Sequence, residues 1–285
     1  MNNYIYLNGE FIQHDEAKIS VFDRGFLYGD GLFETMRAYS GRVFMLDEHL
    51  SRLFDSLDKL NIYLNIDKEI LKSTIDKLLT INHLSDAYIR ITVSRGKHSD
   101  TLTFNDNYTP TLVIMAKKLS PYPQEYYIKG TVVIISDIRQ NSFSPLSQHK
   151  SISYFNNILA KEEARKKGAF EAILLNSEGE LAEGSTSNIF IAKSGKILTP
   201  TISSHILPGV TREVVLNILH QLKFQVEEKK ICPEELLSSD EIFLTNSIME
   251  VMPVVEVDGK KIGNGKPGQV FKRILEAYRE LAGQL

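Results

Sequence analysis

The 285-residue chain contains a single cysteine, Cys232, so no intrachain disulfide can form. That fits a reducing compartment. Cys232 precedes Pro233 in a connecting stretch and reads as an incidental thiol. There is no long basic run, and the formal net charge is −3, which gives nucleic-acid binding little electrostatic support. No apolar run approaches the length of a membrane span. The start, MNNYIYLNGEF, lacks the basic-then-apolar pattern of a secretory signal. Repeats at solenoid periods and low-complexity tracts are also missing. The glycines near residue 30 do not form a phosphate loop. The G-x-x-x-x-G-K-[ST] spacing is absent, and Gly29-Asp30-Gly31 lacks the third glycine of a dinucleotide fingerprint. These absences lead to the expectation of a soluble, cytoplasmic, globular protein that binds neither nucleic acid nor membrane.

What is present supports a large core. Hydrophobic residues make up 42% of the chain, and its length suits one large domain or two moderate ones. Asn8-Gly9 between two short apolar pieces predicts a hairpin over Tyr4 to Ile12. Asp23 to Thr35 (DRGFLYGDGLFET) reads as a glycine-marked loop running into a strand. Asp47 is the expected N-cap of a helix with a stripe of Leu50, Leu53, Phe54, Leu57 and Leu60. Arg52 lies off that stripe and by pattern alone reads as a surface arginine. Asp67 opens a second helix with Ile70, Leu71, Ile75, Leu78 and Leu79 on one side. Ala87 to Ser94 alternates as a strand, placing Arg90 opposite Ile89 and Ile91. Pro110 to Lys117 (PTLVIMAK) reads as a strand buried on both faces. Leu119-Ser120-Pro121-Tyr122-Pro123 is the boundary candidate, since two prolines interrupt pairing.

The second half begins with a buried strand, Gly130 to Asp137, and a polar loop to Gln148. Lys150 follows, then a helix expected over Ser153 to Lys167 with Tyr154 in its first turn, stopped by Gly168. Taken alone, Lys150 reads as a solvated lysine ahead of a helix. Strands are expected at Ala172 to Leu175, Asn188 to Ala192, Ile197 to Thr199, Glu241 to Thr245 and Val254 to Val257. Leu207-Pro208-Gly209-Val210-Thr211-Arg212 precedes an apolar-striped helix, whose first N–H groups can bind a phosphate. Pro267 to Ala282 is a C-terminal helix.

Several of these stretches, in this order, resemble one family. FDRGFLYGDGLFET, EHLSRL, HKSISYFNNILAKEEA, ELAEGSTSNIF, ILPGVTREVV and DEIFLTNSIMEVMPVVEVDG are similar to the fold-type IV pyridoxal phosphate (PLP) enzymes. These are the branched-chain and D-amino-acid aminotransferases and the 4-amino-4-deoxychorismate lyases. The resemblance implies an α/β chain in two domains, with a small N-terminal α/β domain and a larger C-terminal domain with a β-barrel-like core. Boundaries are expected at 1–118, a linker at 119–125, and 126–285. It also implies a homodimer with PLP between the domains, a small amine or amino-acid substrate, and no metal.

Roles follow residue by residue from the resemblance. Lys150 would carry the Schiff base and shuttle protons, and Glu183 would pair with the pyridine nitrogen so that the ring acts as an electron sink. Tyr154 would hydrogen-bond the ring hydroxyl. Arg52, the backbone N–H groups of Val210 and Thr211, the Thr211 hydroxyl and Ser247 would hold the phosphate. The substrate would meet Phe33, Thr35, Tyr88, Arg90, Asn246 and Ile248, with Thr35 assisting proton transfer or positioning the ring.

Within the family, Thr35 is similar to the lyases, where branched-chain enzymes usually have glycine. Asn246-Ser247-Ile248 also has a lyase-like look. The Arg-x-His carboxylate trap of D-amino-acid enzymes is missing after Arg95-Gly96; the chain has Lys97-His98-Ser99-Asp100 there. Better-known lyases carry an arginine in that same loop, and Tyr88-Ile89-Arg90 resembles the branched-chain enzymes. The leading expectation is therefore a 4-amino-4-deoxychorismate lyase that forms 4-aminobenzoate and pyruvate. The alternative is an amino-acid aminotransferase using 2-oxoglutarate.

Overall fold

The computed structural model describes residues 4–97, 102–103 and 108–283, and the chain divides into two units. The first runs to Ser120 and takes back a short later segment, His149–Tyr154. Its elements are β1 (Tyr4–Leu7), β2 (Glu10–Gln13), α1 (Arg24–Tyr28), β3 (Gly31–Tyr39), β4 (Arg42–Val43), α2 (Leu46–Lys59), α3 (Lys68–Ile81), β5 (Ala87–Lys97) and β6 (Thr109–Lys118). Among the described residues the strands form one antiparallel sheet in the order β2-β1-β6-β5-β3-β4.

Helices α2 and α3 cover one face of this sheet. Leu50, Leu53 and Leu57 of α2 and Leu71, Ile75 and Leu78 of α3 pack against Leu32, Met36, Ile89, Ile91 and Ile114. Burying each such side chain contributes about 1.5–3 kcal/mol. The strand period of two sends Phe33, Thr35 and Arg37 of β3 to the other face, opposite Thr92, Arg90 and Tyr88 of β5 in register. Because α2 and α3 pack on a single face of the sheet, PTLVIMAK is not buried on both faces as expected. Its burial alternates, and Met115 is 41% exposed.

Local signals differ from expectation in several places. The DRGFLYG stretch contains a one-turn helix, N-capped by the Asp23 carboxylate accepting from Gly25 N at 2.7 Å. Helix α2 starts one residue before Asp47; Met45 is its N-cap, in the left-handed region, and Asp47 sits in the first turn. Asp67 does cap α3, accepting from Ile70 N at 2.8 Å, but Ile70 itself is exposed. Of the loop between β5 and β6, residues 98–100 lie outside the described residues.

The second unit comprises Pro121–Gln148 and the chain from Phe155 onward. It contains α4 (Gln124–Lys129), β7 (Thr131–Arg139), α5 (Phe155–Lys166), β8 (Glu171–Leu175), β9 (Leu181–Gly184), β10 (Asn188–Lys193), β11 (Lys196–Pro200), α6 (Val210–Gln221), β12 (Gln225–Lys229), α7 (Pro233–Leu237), β13 (Glu241–Asn246), β14 (Glu250–Val257), β15 (Lys260–Lys261) and α8 (Gln269–Gly283). The sheet order is β12-β11-β10-β13-β14-β7-β8-β9, with β15 on β14. Pairs β11/β12, β14/β7 and β7/β8 are parallel. Strand β9 also lies against β10 and β11, so the sheet curls back on itself. Phe190 and Phe243, both fully buried on neighbouring strands, stack with ring centroids 5.2 Å apart.

Helix α5 packs on this sheet through Ala160 and Ala164, while Phe155, Ile158 and Leu159 are exposed. Tyr154 precedes the helix rather than occupying its first turn. Within the expected 119–125 linker, Leu119 is buried and Gln124 already begins α4. The mixed α/β class is the one expected. The return of 149–154 to the first unit was not.

Candidate active site

Lys150 is positioned by strand chemistry. The segment around it pairs with β3: Phe33 N donates to Lys150 O at 2.8 Å, and Ile152 N donates to Gly31 O at 3.0 Å. Leu32 and Ser151 form the bridge between them. Gly31 makes this approach possible, since a Cβ there would lie 2.4 Å from Val93 O and 2.9 Å from Ile152 Cδ1. The Lys150 backbone is thus fixed by sheet hydrogen bonds while its side chain projects. Its Nζ lies 4.5 Å from the Phe33 ring centroid.

Phe33 gathers three expected site residues. Besides Lys150, the Tyr154 ring meets it edge-on at 5.4 Å, and the Arg90 guanidinium carbon lies 3.8 Å from its centroid. Arg90 Nε donates to Thr92 Oγ1 at 3.2 Å. Thr35 is the cross-strand neighbour of Arg90, and Tyr88 lies opposite Arg37, under the ammonium of Lys117. A cation on the face of an aromatic ring, beside a half-buried strand surface, is suited to a carboxylate ligand.

Arg52 is on the helix-covered side. Its Nε and Nη2 donate to the two Glu34 oxygens at 2.8 and 2.7 Å, a bidentate pair. His49, one helical turn before Arg52, donates from Nδ1 to Glu34 Oε2 at 2.8 Å. Burial works against the charged Glu34 carboxylate. The Arg52 guanidinium and the hydrogen bonds from His49 and Arg52 outweigh it and hold the carboxyl far below the usual range. An ionised Glu34 can only accept, so His49 carries its proton on Nδ1. Burial pushes the His49 imidazole down and keeps it neutral. Next to Lys150, His149 Nδ1 meets Ser56 Oγ at 2.9 Å.

The second unit carries the other expected residues. Glu183, at the end region of β9, is buried. Its Oε2 accepts from Leu207 N at 3.1 Å and Asn188 Nδ2 at 3.2 Å, and its Oε1 from Gln140 Nε2 at 3.4 Å. Helix α6 begins at Val210 after Gly209, with no side-chain cap. Thr211 in its first turn is buried, and its Oγ1 lies 3.5 Å from Ser247 Oγ. Asn246 closes the turn after β13: its Oδ1 accepts from Ile248 N and Met249 N at 2.9 and 2.8 Å, and its Nδ2 donates to Thr186 O at 3.0 Å. Ile248 is tied to this group through that backbone bond.

The expected residues therefore fall into two groups. Lys150, Tyr154, Phe33, Thr35, Tyr88, Arg90 and Arg52 belong to the first unit, and Glu183, Val210, Thr211, Asn246, Ser247 and Ile248 to the second. Within the first, Arg52 is on the helix side of the sheet and Arg90 on the other. Sequence reasoning did not name Glu34, His49, Asn188 or Gln140. A signal existed for two of them. An acid inside the apolar strand Gly31–Tyr39, and a histidine three residues before Arg52, are what a buried ion cluster looks like in one dimension.

The chain matches the family model described as amino-transferase class IV over residues 31–257. A Methanocaldococcus jannaschii protein, named provisionally as a branched-chain-amino-acid aminotransferase, is 39% identical over 277 residues, covering 97% of this chain and 96% of that one. Aminodeoxychorismate lyase of Bacillus subtilis is 34% identical over 278 residues, covering 97% and 94%. The branched-chain amino acid aminotransferase of Escherichia coli superposes with a TM-score of 0.95 at 30% identity, covering 99% of this chain and 95% of that one. Both the pattern of residues and its extent along the chain lead to one conclusion: this protein belongs to the class IV aminotransferase family.

Proposed function

We propose that the protein is a PLP-dependent aminotransferase that moves an amino group between an amino acid and a 2-oxo acid. The observation that carries this reading is Arg90, fixed by Thr92 against the Phe33 ring on the sheet face that also carries Thr35. A guanidinium on an aromatic and aliphatic surface suits a substrate with a carboxylate and an apolar side chain. The 39% identical relative bears an aminotransferase name, which supports the same choice.

The residues of the second unit fit a phosphorylated pyridine. The α6 start has no side-chain cap, the Thr211 and Ser247 hydroxyls lie 3.5 Å apart, and among the described residues Thr245 Oγ1, two residues before Ser247, is buried with no partner. Such donors at a helix N-terminus suit a phosphate. PLP, when bound, supplies an aldehyde that captures amines and a ring that accepts the electron pair released at the substrate carbon. Lys150 Nζ would hold that aldehyde and, once displaced, move the proton at the amine-bearing carbon. Glu183 would keep the pyridine nitrogen protonated. Val210 and Thr211 N–H groups, the Thr211 and Ser247 hydroxyls and the Arg52 charge would hold the phosphate. Tyr154 would orient the ring hydroxyl, and Arg90 the substrate carboxylate. We take the working assembly to be a homodimer.

The lyase reading is kept on one observation. Thr35 is paired directly opposite Arg90. Asn246 does not add to it, because its Oδ1 is spent on closing its own turn. A parallel assay tests both readings. Purified protein receives branched-chain or D-amino acids with 2-oxoglutarate in one arm. In the other it receives chorismate, glutamine and an aminodeoxychorismate synthase. Glutamate formation without 4-aminobenzoate supports the proposal. Formation of 4-aminobenzoate and pyruvate with no need for a 2-oxo acid overturns it in favour of the lyase.

A further inference from the structure

Asn188 is the first residue of β10 and is 6% exposed. Its amide sits in a closed triangle. Nδ2 donates to Glu183 Oε2 at 3.2 Å and to Leu207 O at 3.0 Å. Leu207 N donates to the same Glu183 oxygen at 3.1 Å. Both Nδ2 partners are acceptors, which fixes which end of the amide carries the hydrogens. The other end, Oδ1, faces Gly209, where a Cβ would lie 1.9 Å away. Any larger residue at 209 would push Asn188 off Glu183. Leu207 and Gly209 are the lead-in to α6, whose first turn carries Val210 and Thr211.

Gln140 holds the same acid more loosely. It reaches Oε1 only at 3.4 Å and divides its amide among Ser147 O and His205 O at 3.4 and 3.3 Å. Asn188 and the Leu207 peptide make shorter contacts than Gln140. One side chain therefore ties the acid on β9 to the turn that begins α6.

We propose that Asn188 is a positioning residue that orients the Glu183 carboxylate and, through Leu207, sets the α6 lead-in relative to it. This rests on the PLP reading given above, in which Glu183 meets the pyridine nitrogen and the α6 start meets the phosphate. A ligand that spans both needs their separation fixed before it binds; otherwise binding must order them. Asn188 acts through these groups and does not itself need to touch the substrate.

The test uses the full-length protein stripped of cofactor and titrated with PLP, following visible absorbance. Asn188→Ala should weaken PLP binding about 10- to 100-fold, the scale of a lost hydrogen bond to a charged group. It should also move the absorbance band of the bound cofactor, while KM for the amino donor changes less than kcat. Asn188→Asp keeps the shape but sets a second carboxyl beside Glu183, so that the two compete for one proton where Asn188 supplies a fixed N–H, and should be at least as damaging. In the Glu183→Gln background, Asn188→Ala should cost little more, because the two act as one unit. Wild-type affinity and spectrum in Asn188→Asp, or fully additive losses in the double variant, would overturn the inference while leaving the PLP reading intact. Wild-type protein that takes up no PLP at all would overturn both.

Discussion

Glu34 offers the sharpest test of the energetics. Its side chain is 1% exposed and accepts from Arg52 Nε, Arg52 Nη2 and His49 Nδ1, all between 2.7 and 2.8 Å. Glu34→Gln keeps the shape but turns one acceptor into a donor. Whichever way the amide faces, its amino group meets an N–H of Arg52 or His49. The guanidinium, itself only 12% exposed, loses the counter-charge that Glu34 supplies. Breaking a buried ion pair on one side costs about 3–5 kcal/mol. At roughly 2–8 °C per kcal/mol, depending on the size of the unfolding unit, Tm should fall by on the order of 10 °C or more. Thermal unfolding would be followed with no PLP and with saturating PLP, so that cofactor linkage is separated from intrinsic stability. The exposed pair Arg165–Glu162 serves as the contrast, and Glu162→Gln should leave Tm almost unchanged. A double variant, Glu34→Gln with Arg52→Met, removes the stranded charge and should be more stable than Glu34→Gln alone. If Glu34→Gln costs less than about 1 kcal/mol, or if the double variant loses the sum of the singles, then an orphaned charge is not the reason for the loss.

Acidification should destabilise the first unit. Burial lowers the His49 pKa, so the unfolded chain binds its proton first and stability falls as pH drops below about 6.5. Glu34 adds to the loss below about 4.5, where the unfolded carboxyl begins to protonate and the folded one does not. The loss should be reduced in His49→Gln over the upper of these two ranges, and an identical pH profile in that variant would contradict the assignment. Lys150→Ala should abolish turnover, and borohydride should fix PLP to Lys150 in the wild type; near-normal activity in the variant would remove Lys150 from its role. Glu183→Gln should slow the reaction about tenfold to a thousandfold, roughly 1.4 to 4 kcal/mol of barrier, measured under conditions where chemistry limits the rate. Arg90→Ala should raise KM for the carboxylate-bearing substrate by about 1.5–3 kcal/mol worth of binding, with a smaller effect on simple amines, and equal effects on both would argue against carboxylate recognition.

Much of the local structure was legible in one dimension because its causes are local. Asn8-Gly9 makes a hairpin by its own backbone preference, Asp67 caps a helix with its own side chain, and the period of Leu50, Leu53 and Leu57 finds a core face without help. Motif order identified the family and made Lys150 and Glu183 the candidates, since those stretches are read as strings. Other features depended on residues far apart in the chain. Lys150 is held by β3, over a hundred residues earlier, and no spacing near Lys150 shows that bond. PTLVIMAK reads as doubly buried, yet its burial alternates because α2 and α3 both pack on the same face of its sheet. In α5 the conspicuous apolar residues Phe155, Ile158 and Leu159 are exposed and two alanines make the buried contact, a choice made by the close approach of α5 to β7 and β8. Glu34, His49 and Asn188 were passed over because a charged or amide side chain in a strand or helix reads as solvent-facing. Only tertiary packing brings each the partners that make its burial favourable, Arg52 for Glu34, Glu34 for His49, and Glu183 with Leu207 for Asn188.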